Sequence, residues 1–156
     1  MKKANKKTET FIYRGLGFPL KLINVPMKKV LAEWVMDIDM NKLQLTALRA
    51  LIYKPIPLTG SELNFIRSFF HLSMAEFGGI FGVTHVAVVN WESGKRNISP
   101  AMEICIRLYV LDHLKIRDKE FRVLYHKISL EIFCKREQEK SYPLVIDAAE
   151  DLKIAL

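Results

Sequence analysis

Side chains able to do covalent or acid–base work are present in this 156-residue chain, but no spacing assembles them. His71, His85, His113 and His126 are scattered, and the serines and carboxylates form no Gly-x-Ser-x-Gly elbow, HExxH pair, phosphate-cradling glycine loop or deaminase motif. Cys105 and Cys134 lie far apart, with no CxxC pair and no Cys/His cluster at metal-ligand spacing. The expectation is therefore no catalytic site, no cofactor and no metal. The informative spacings belong to helix caps. Thr59 with Glu62, and Ser73 with Glu76, each pair a hydroxyl and a carboxylate three residues apart, the reciprocal arrangement that satisfies free N–H groups at a helix start. Thr84 and the Ser99–Pro100 pair open two more helices in the same way.

These starts place helices at about 60, 74, 85 and 100. The first presents Leu63, Ile66, Phe69 and Phe70 to a core, and the second presents Ala75, Phe77 and Phe81 and stops at Gly82, which can take a left-handed conformation. Two short helices joined by a turn of three or four residues with glycine at its start have a specific use. That geometry lets the second helix project from the protein and enter a DNA major groove.

Composition is compatible with such a role. Half the residues are hydrophobic and 26% are charged, enough apolar material for a core, so a folded, soluble protein is expected. The net charge of +7 draws the chain towards polyanions, yet its distribution is uneven. Residues 1–58 hold 11 basic and 4 acidic side chains, residues 59–114 hold 4 and 5, and residues 115–156 hold 9 and 8. The opening MKKANKKTET lacks a following apolar run and reads neither as a signal peptide nor as an anchor. No apolar stretch approaches a membrane span, so a cytoplasmic location is expected. Lys2, Lys3, Lys6 and Lys7 read equally as a solvated tail or as a phosphate-tracking arm.

The segment LTGSELNFIRSFFHLSMAEFGGIFGVTHVAVVNWESGKRNISP resembles the Xre-type helix-turn-helix of the phage-repressor-like family, with its L-S-x-x-E, F/L-G-V-S and V-x-x-W-E-x-G-K-R-x-x-P pattern. About 55 residues carry the likeness. It implies a mainly α fold: a lambda-repressor-like helix-turn-helix bundle with, in this chain, a small N-terminal antiparallel β element. It also implies that Phe77, Val83, Val88 and Trp91 are core, that Ala75 and Ala87 are small packing positions, and that Thr84, His85, Val86, Val89 and Asn90 lie on the exposed face of a recognition helix. His85 and Asn90 would then hydrogen-bond base edges or phosphate, Val86 and Val89 would meet thymine methyls, and Lys95 and Arg96 would hold the phosphate backbone. The chain departs from the pattern at Met74, where the family has a glutamine that contacts the DNA backbone, and at Gly78 and Gly79, which replace helix-favouring residues. Those glycines imply either a loose helix or a close backbone approach.

Upstream, TFIYR, LKLINVP and VLAEWVMDIDM read as short strands of an antiparallel sheet. Asn41 then opens a helix whose face carries Leu43, Ala47, Leu48, Leu51 and Ile52 and which the prolines of KPIP end. This part is similar to MqsA-like antitoxin regulators, but KKVLAEWV stands where they carry a CxxC-type zinc site, so no zinc is expected. The fourth capped helix is apolar around much of its circumference, with Ile104, Cys105, Ile106, Leu108, Tyr109, Val110 and Leu111. Phe121, Leu124, Ile128 and Ile132 recur at helical spacing beyond it, and Leu144–Asp147 adds a strand with no legible partner.

The expected organisation is a basic tail, sheet and helix over 1–58, a DNA-binding domain over 59–114, and a helical, dimerising extension over 115–156. The expected function is a sequence-specific transcriptional regulator, a repressor or antitoxin-type autoregulator. It would act as a homodimer on double-stranded DNA, with a cognate toxin as a further partner and no membrane association. The competing expectation is a toxin-neutralising or other interaction module that keeps a degenerate helix-turn-helix.

Overall fold

The computed structural model describes residues 7–115, 143–149 and 152–154. Lys2, Lys3 and Lys6 of the tail, and the expected helix through Phe121, Leu124, Ile128 and Ile132 with His126 and Cys134, lie outside the described residues. In chain order the elements are β1 (Lys7–Tyr13), β2 (Leu20–Val30), β3 (Glu33–Met36), α1 (Met40–Tyr53), α2 (Gly60–Phe69), α3 (Met74–Ile80), α4 (His85–Glu92), α5 (Pro100–His113), β4 (Leu144–Asp147) and β5 (Lys153–Ile154). Residues to Ala50 together with those from Pro143 onward form one compact unit, and those from Leu51 to Tyr142 a second, so the division falls inside α1.

The first unit is organised around β2. Alternation along this strand buries Leu20, Leu22 and Val25 and leaves Lys21 and Lys28 in solvent. β1 runs antiparallel along one side of β2, from Lys7 opposite Met27 to Tyr13 opposite Leu20. Between the Glu9–Val25 and Phe11–Leu22 pairs β2 carries one extra residue, and Asn24 takes up this bulge at a φ of 53°. The other side of β2 serves two partners in succession. Its first half pairs in parallel with β4, Leu20 opposite Leu144 through Ile23 opposite Asp147, and its second half pairs antiparallel with β3. The Asn24 side chain marks the changeover, donating to both carboxylate oxygens of Asp147 at 3.3 and 3.2 Å. β5 closes the far edge against β4.

This sheet corrects the expected fold class. The protein is not a mainly α helix-turn-helix bundle with a small antiparallel β element, because among the described residues five helices accompany a five-stranded mixed sheet. The parallel β2–β4 pair joins residues more than 120 positions apart, which no local pattern announces. The β3 expectation also needs correction. VLAEWV is broken by a two-residue turn at Leu31 and Ala32, whose φ angles are 47° and 70°, so Val30 ends β2 and Glu33 begins β3. This turn type normally carries Asn or Gly, and its absence here hid the hairpin.

In the second unit each helix starts on the cap its sequence provides. Thr59 and Glu62, and Ser73 and Glu76, close both halves of their capping boxes, while Thr84 and Ser99 accept from Ala87 and Met102 N–H at 3.3 Å. The core comprises Leu51, Ile52, Leu63, Ile66, Phe77, Val88, Ile106 and Val110, all fully buried. Phe69, Phe70, Val83 and Trp91 are only half-buried, and Ala75 is exposed rather than packed. Phe70 instead stacks edge-on with Tyr109 and His113, and Tyr109 with Phe81, forming an aromatic row between α2, the α3 terminus and α5.

A buried charge network fixes the start of this unit. α5 carries Glu103 and Arg107 one turn apart, and both are withdrawn from solvent. The Arg107 guanidinium donates to the Ile52, Lys54 and Ile56 carbonyls at 2.7, 2.8 and 3.0 Å and to Glu103 Oε1 at 2.7 Å. It thereby satisfies carbonyls at the α1 terminus that the following prolines leave without helical partners. Burial pushes the guanidinium pKa down, and Glu103 opposes that shift. Beside it, Lys54 Nζ donates to both Glu62 oxygens at 2.7 Å.

Candidate nucleic-acid interface

The α3–α4 connection is built from a helix terminus. Gly82 stands at a φ of 68°, with its N–H directed to Gly79 O at 3.4 Å and the Val83 N–H to Gly78 O at 2.9 Å. Those two bonds form a Schellman motif, which closes α3 and turns the chain directly into the Thr84 cap. The two unusual glycines of α3 separate here. A β-carbon on Gly78 would stand 2.6 Å from Val83 O, so the turn needs a bare backbone at that position. A β-carbon on Gly79 would meet nothing within 4 Å. Close approach explains Gly78, and nothing in the structure explains Gly79.

α4 is held from behind and open in front. Val88 is fully buried, whereas Thr84, His85, Val86 and Val89 are exposed, with Val86 at 52% and Val89 at 41%. Glu92, the last residue of α4, is gripped by α2. Arg67 Nε donates to Glu92 Oε1 at 2.5 Å and an Arg67 terminal nitrogen to Oε2 at 3.0 Å, while Asn64 adds a bond at 3.0 Å. The hydrogen bond to Glu92 raises the Arg67 pKa above its ordinary value despite burial. Gly60 at the head of α2 admits the α4 terminus, since a β-carbon there would lie 2.4 Å from both the Trp91 and Glu92 carbonyl oxygens.

Beyond α4, Gly94 at a φ of 75° reverses the chain and delivers Lys95 and Arg96 to solvent, with the Arg96 N–H bonded to Asn90 O at 3.0 Å. The structure thus brings Thr84, His85, Val86, Val89, Asn90, Lys95 and Arg96 together on α4 and the loop after it. Asn90 is half-buried and the others are exposed. The Thr84 oxygen is occupied by its cap. Among the described residues, the side chains of His85, Asn90, Lys95 and Arg96 make no hydrogen bond or ion pair. Met74 is half-buried at the head of α3.

Electrostatics differ from the count over 59–114. Glu62 is neutralised by Lys54, Glu92 by Arg67 and Glu103 by Arg107, all inside the protein. Among the described residues, the charges of this stretch without an ion-pair partner are therefore Lys95, Arg96, Glu76 and Asp112, and both cations follow α4 directly. The formal −1 arises because Lys54, the partner of Glu62, falls before position 59.

Sequence reasoning missed the Arg67–Glu92 fork and the role of Gly60. It also passed over Arg107, although a charge inside the apolar run ICIRLYV with a glutamate one turn earlier was a usable signal. Among the described residues no group of three or more His, Cys, Asp or Glu could hold a metal ion, and Cys105 is exposed and unpaired. No helix among them is long and apolar enough to cross a membrane. No protein-family model matches the chain, and no curated protein matches it either.

Proposed function

We propose that this protein is a sequence-specific DNA-binding regulator of transcription, a repressor or antitoxin-type autoregulator, that inserts α4 into the major groove. One observation carries the reading: α4 is clamped by its buried side and its last residue while His85, Val86 and Val89 face solvent with no partner among the described residues. A helix held at its last residue with an open outer face, followed at once by two cations unpaired among the described residues, suits base edges and flanking phosphates. The likeness of this stretch to Xre-type regulators supports the same reading. It acts in the cytoplasm as a homodimer, since two-fold sites require two reading helices. A cognate toxin is its further partner in the antitoxin form.

The test is selection of duplexes by the full chain from a random library, followed by titration of the enriched sequence against a scrambled one. A specific shift at least tenfold tighter than the scrambled control is expected. Equal affinity for both at low salt overturns the proposal and favours a protein-interaction module, which the exposed Ile80, Val86 and Val89 would then serve.

A further inference from the structure

We infer that the β2–β3 hairpin is a second DNA contact, an arm that inserts Leu31 between base steps of the minor groove and kinks the duplex. It belongs to the first unit and uses no residue of α4, but the choice of duplex DNA as its occupant rests on the reading above. Among the described residues, β1 covers the hairpin only as far as Lys7, opposite Met27, and β4 ends opposite Ile23. From Lys28 to Val35 the two strands therefore project as a ribbon. Val30, Trp34 and Val35 are 44%, 42% and 36% exposed, and Leu31 at the tip is 96% exposed. The tip is strained as well as bare. Leu31 and Ala32 stand at φ angles of 47° and 70°, where asparagine and glycine would hold the turn with less strain. Leucine there weakens the hairpin and leaves its side chain in water, so its place is explained by a ligand and not by the fold.

Charge selects the occupant. Glu9 and Asp37 are engaged by Lys7 and Lys28, so Glu33 is the acid left to oppose Lys29 and the tail residues Lys2, Lys3 and Lys6. Lys7 lies over the Trp34 ring at 5.1 Å, so the basic tail joins the fold at the root of the arm. An apolar point with cations at its root matches a groove lined by phosphates, whose base steps admit a leucine when they partly unstack. The four residues from Lys28 to Leu31, at about 3.3 Å each, carry the tip roughly 13 Å past the last β1 pair, beyond the depth of about 7.5 Å that a minor groove presents. A lipid surface fits less well. The outer edge of β3 has no strand partner among the described residues, and hydrocarbon cannot satisfy its main-chain donors and acceptors.

The experiment labels the enriched and scrambled duplexes with a fluorophore at each end, and follows energy transfer and affinity on titration with the full chain. Binding should bring the ends closer, as for a kink of about 20–90°. The decisive variant combines Leu31→Asn with Ala32→Gly, which supplies the residues the turn prefers. Its melting temperature should rise, yet it should lose the bend and roughly tenfold in affinity on both duplexes, the counterpart of leaving one leucine unburied. A leucine that serves only the fold predicts the reverse, a firmer hairpin that binds at least as well. Leu31→Phe should keep the bend, and Glu33→Gln should tighten binding to both duplexes. Specific binding without a bend overturns the inference and leaves the regulator reading standing, as does a bend unchanged in the double variant or lost equally in Leu31→Phe. A bend that depends on Leu31 without preference for the enriched sequence upholds the arm and overturns the regulator reading. Absence of any binding overturns both. A double variant that keeps its DNA binding but loses binding to anionic phospholipid vesicles assigns the arm to a membrane and overturns the inference.

Discussion

Arg67 and Glu92, twenty-five residues apart in sequence, face each other as a two-pronged ion pair that ties the last turn of α2 to the last residue of α4. Arg67 also donates to Leu72 O at 2.7 Å, so a single guanidinium fixes both the α2 terminus and the outward-facing helix. Because the pair is largely shielded from water, its two charge-assisted bonds outweigh an ordinary surface ion pair. Arg67→Met is expected to lower unfolding free energy by about 2 kcal/mol, read by urea denaturation. Arg67→Lys should recover less than half of that, since an ammonium cannot span both oxygens in the same plane. Full recovery by lysine would show the fork geometry to be incidental.

The adjacent glycines of α3 make opposite predictions. Gly79→Ala adds a β-carbon into open space inside a helix and should stabilise by up to about 1 kcal/mol. Gly78→Ala drives a β-carbon against Val83 O in the turn that launches α4, and should destabilise and distort that turn. Melting temperatures of the two variants should therefore move to opposite sides of the parent. A shift of both in one direction would contradict the packing around Gly78.

Among the described residues of the second unit, Arg107 makes more side-chain hydrogen bonds than any other. Arg107→Met would leave Glu103 charged and buried and strip donors from the Ile52, Lys54 and Ile56 carbonyls. Breaking such a buried pair from one side costs about 3–5 kcal/mol. Glu103→Gln keeps an acceptor for Arg107 and for the Leu58 N–H, so it should cost clearly less. Chemical denaturation of the two variants gives the order, and an Arg107 variant as stable as the parent would remove the network from the account of α1 termination.

What could be read in advance was whatever a few neighbouring residues decide. The caps at Thr59, Ser73, Thr84 and Ser99, the Gly82 turn and the strand at Leu144–Asp147 are local chemistry, and each is present in the structure. The fold class was not legible because β4 finds its partner across the whole chain, and the parallel register with β2 leaves no turn to mark it. The Leu31–Ala32 hairpin was hidden because both residues adopt left-handed angles that their types disfavour. His71 repeats this point: it occupies the left-handed position after α2, at a φ of 56°, where glycine would have announced the helix end. For the candidate interface, the spacing identified which residues share α4, whereas the neutralisation of Glu92, the acid of that helix, depends on Arg67, twenty-five residues earlier in the chain.

Glu76 links the α3 start to pH. Its carboxylate accepts the Ser73 N–H at 2.7 Å, and that bond holds its pKa below the ordinary carboxylate value. A folded pKa lower than the unfolded one adds stability that is complete above the unfolded value and is lost as pH falls through the folded value. Glu76→Gln replaces the carboxylate with an uncharged acceptor. The parent should therefore be more stable than the variant at neutral pH, with the gap closing in acid, as thermal melts across that range would record. A gap that widens in acid would reverse the sign argued here.

The cations after α4 and the polar groups on it should fail in different ways. Lys95 and Arg96 are exposed and carry no base-reading geometry, so Lys95→Ala with Arg96→Ala should weaken binding to enriched and scrambled duplex alike. Each lost phosphate contact also reduces the slope of log affinity against log salt by about 0.9. His85→Ala and Asn90→Ala remove donors of α4 that are unpaired among the described residues, and each should cost about 1–3 kcal/mol on the enriched duplex with little change on the scrambled one. Titrations at several salt concentrations separate the two classes. An equal loss on both duplexes for His85→Ala and Asn90→Ala would show that α4 touches only the backbone, and that another surface chooses the sequence.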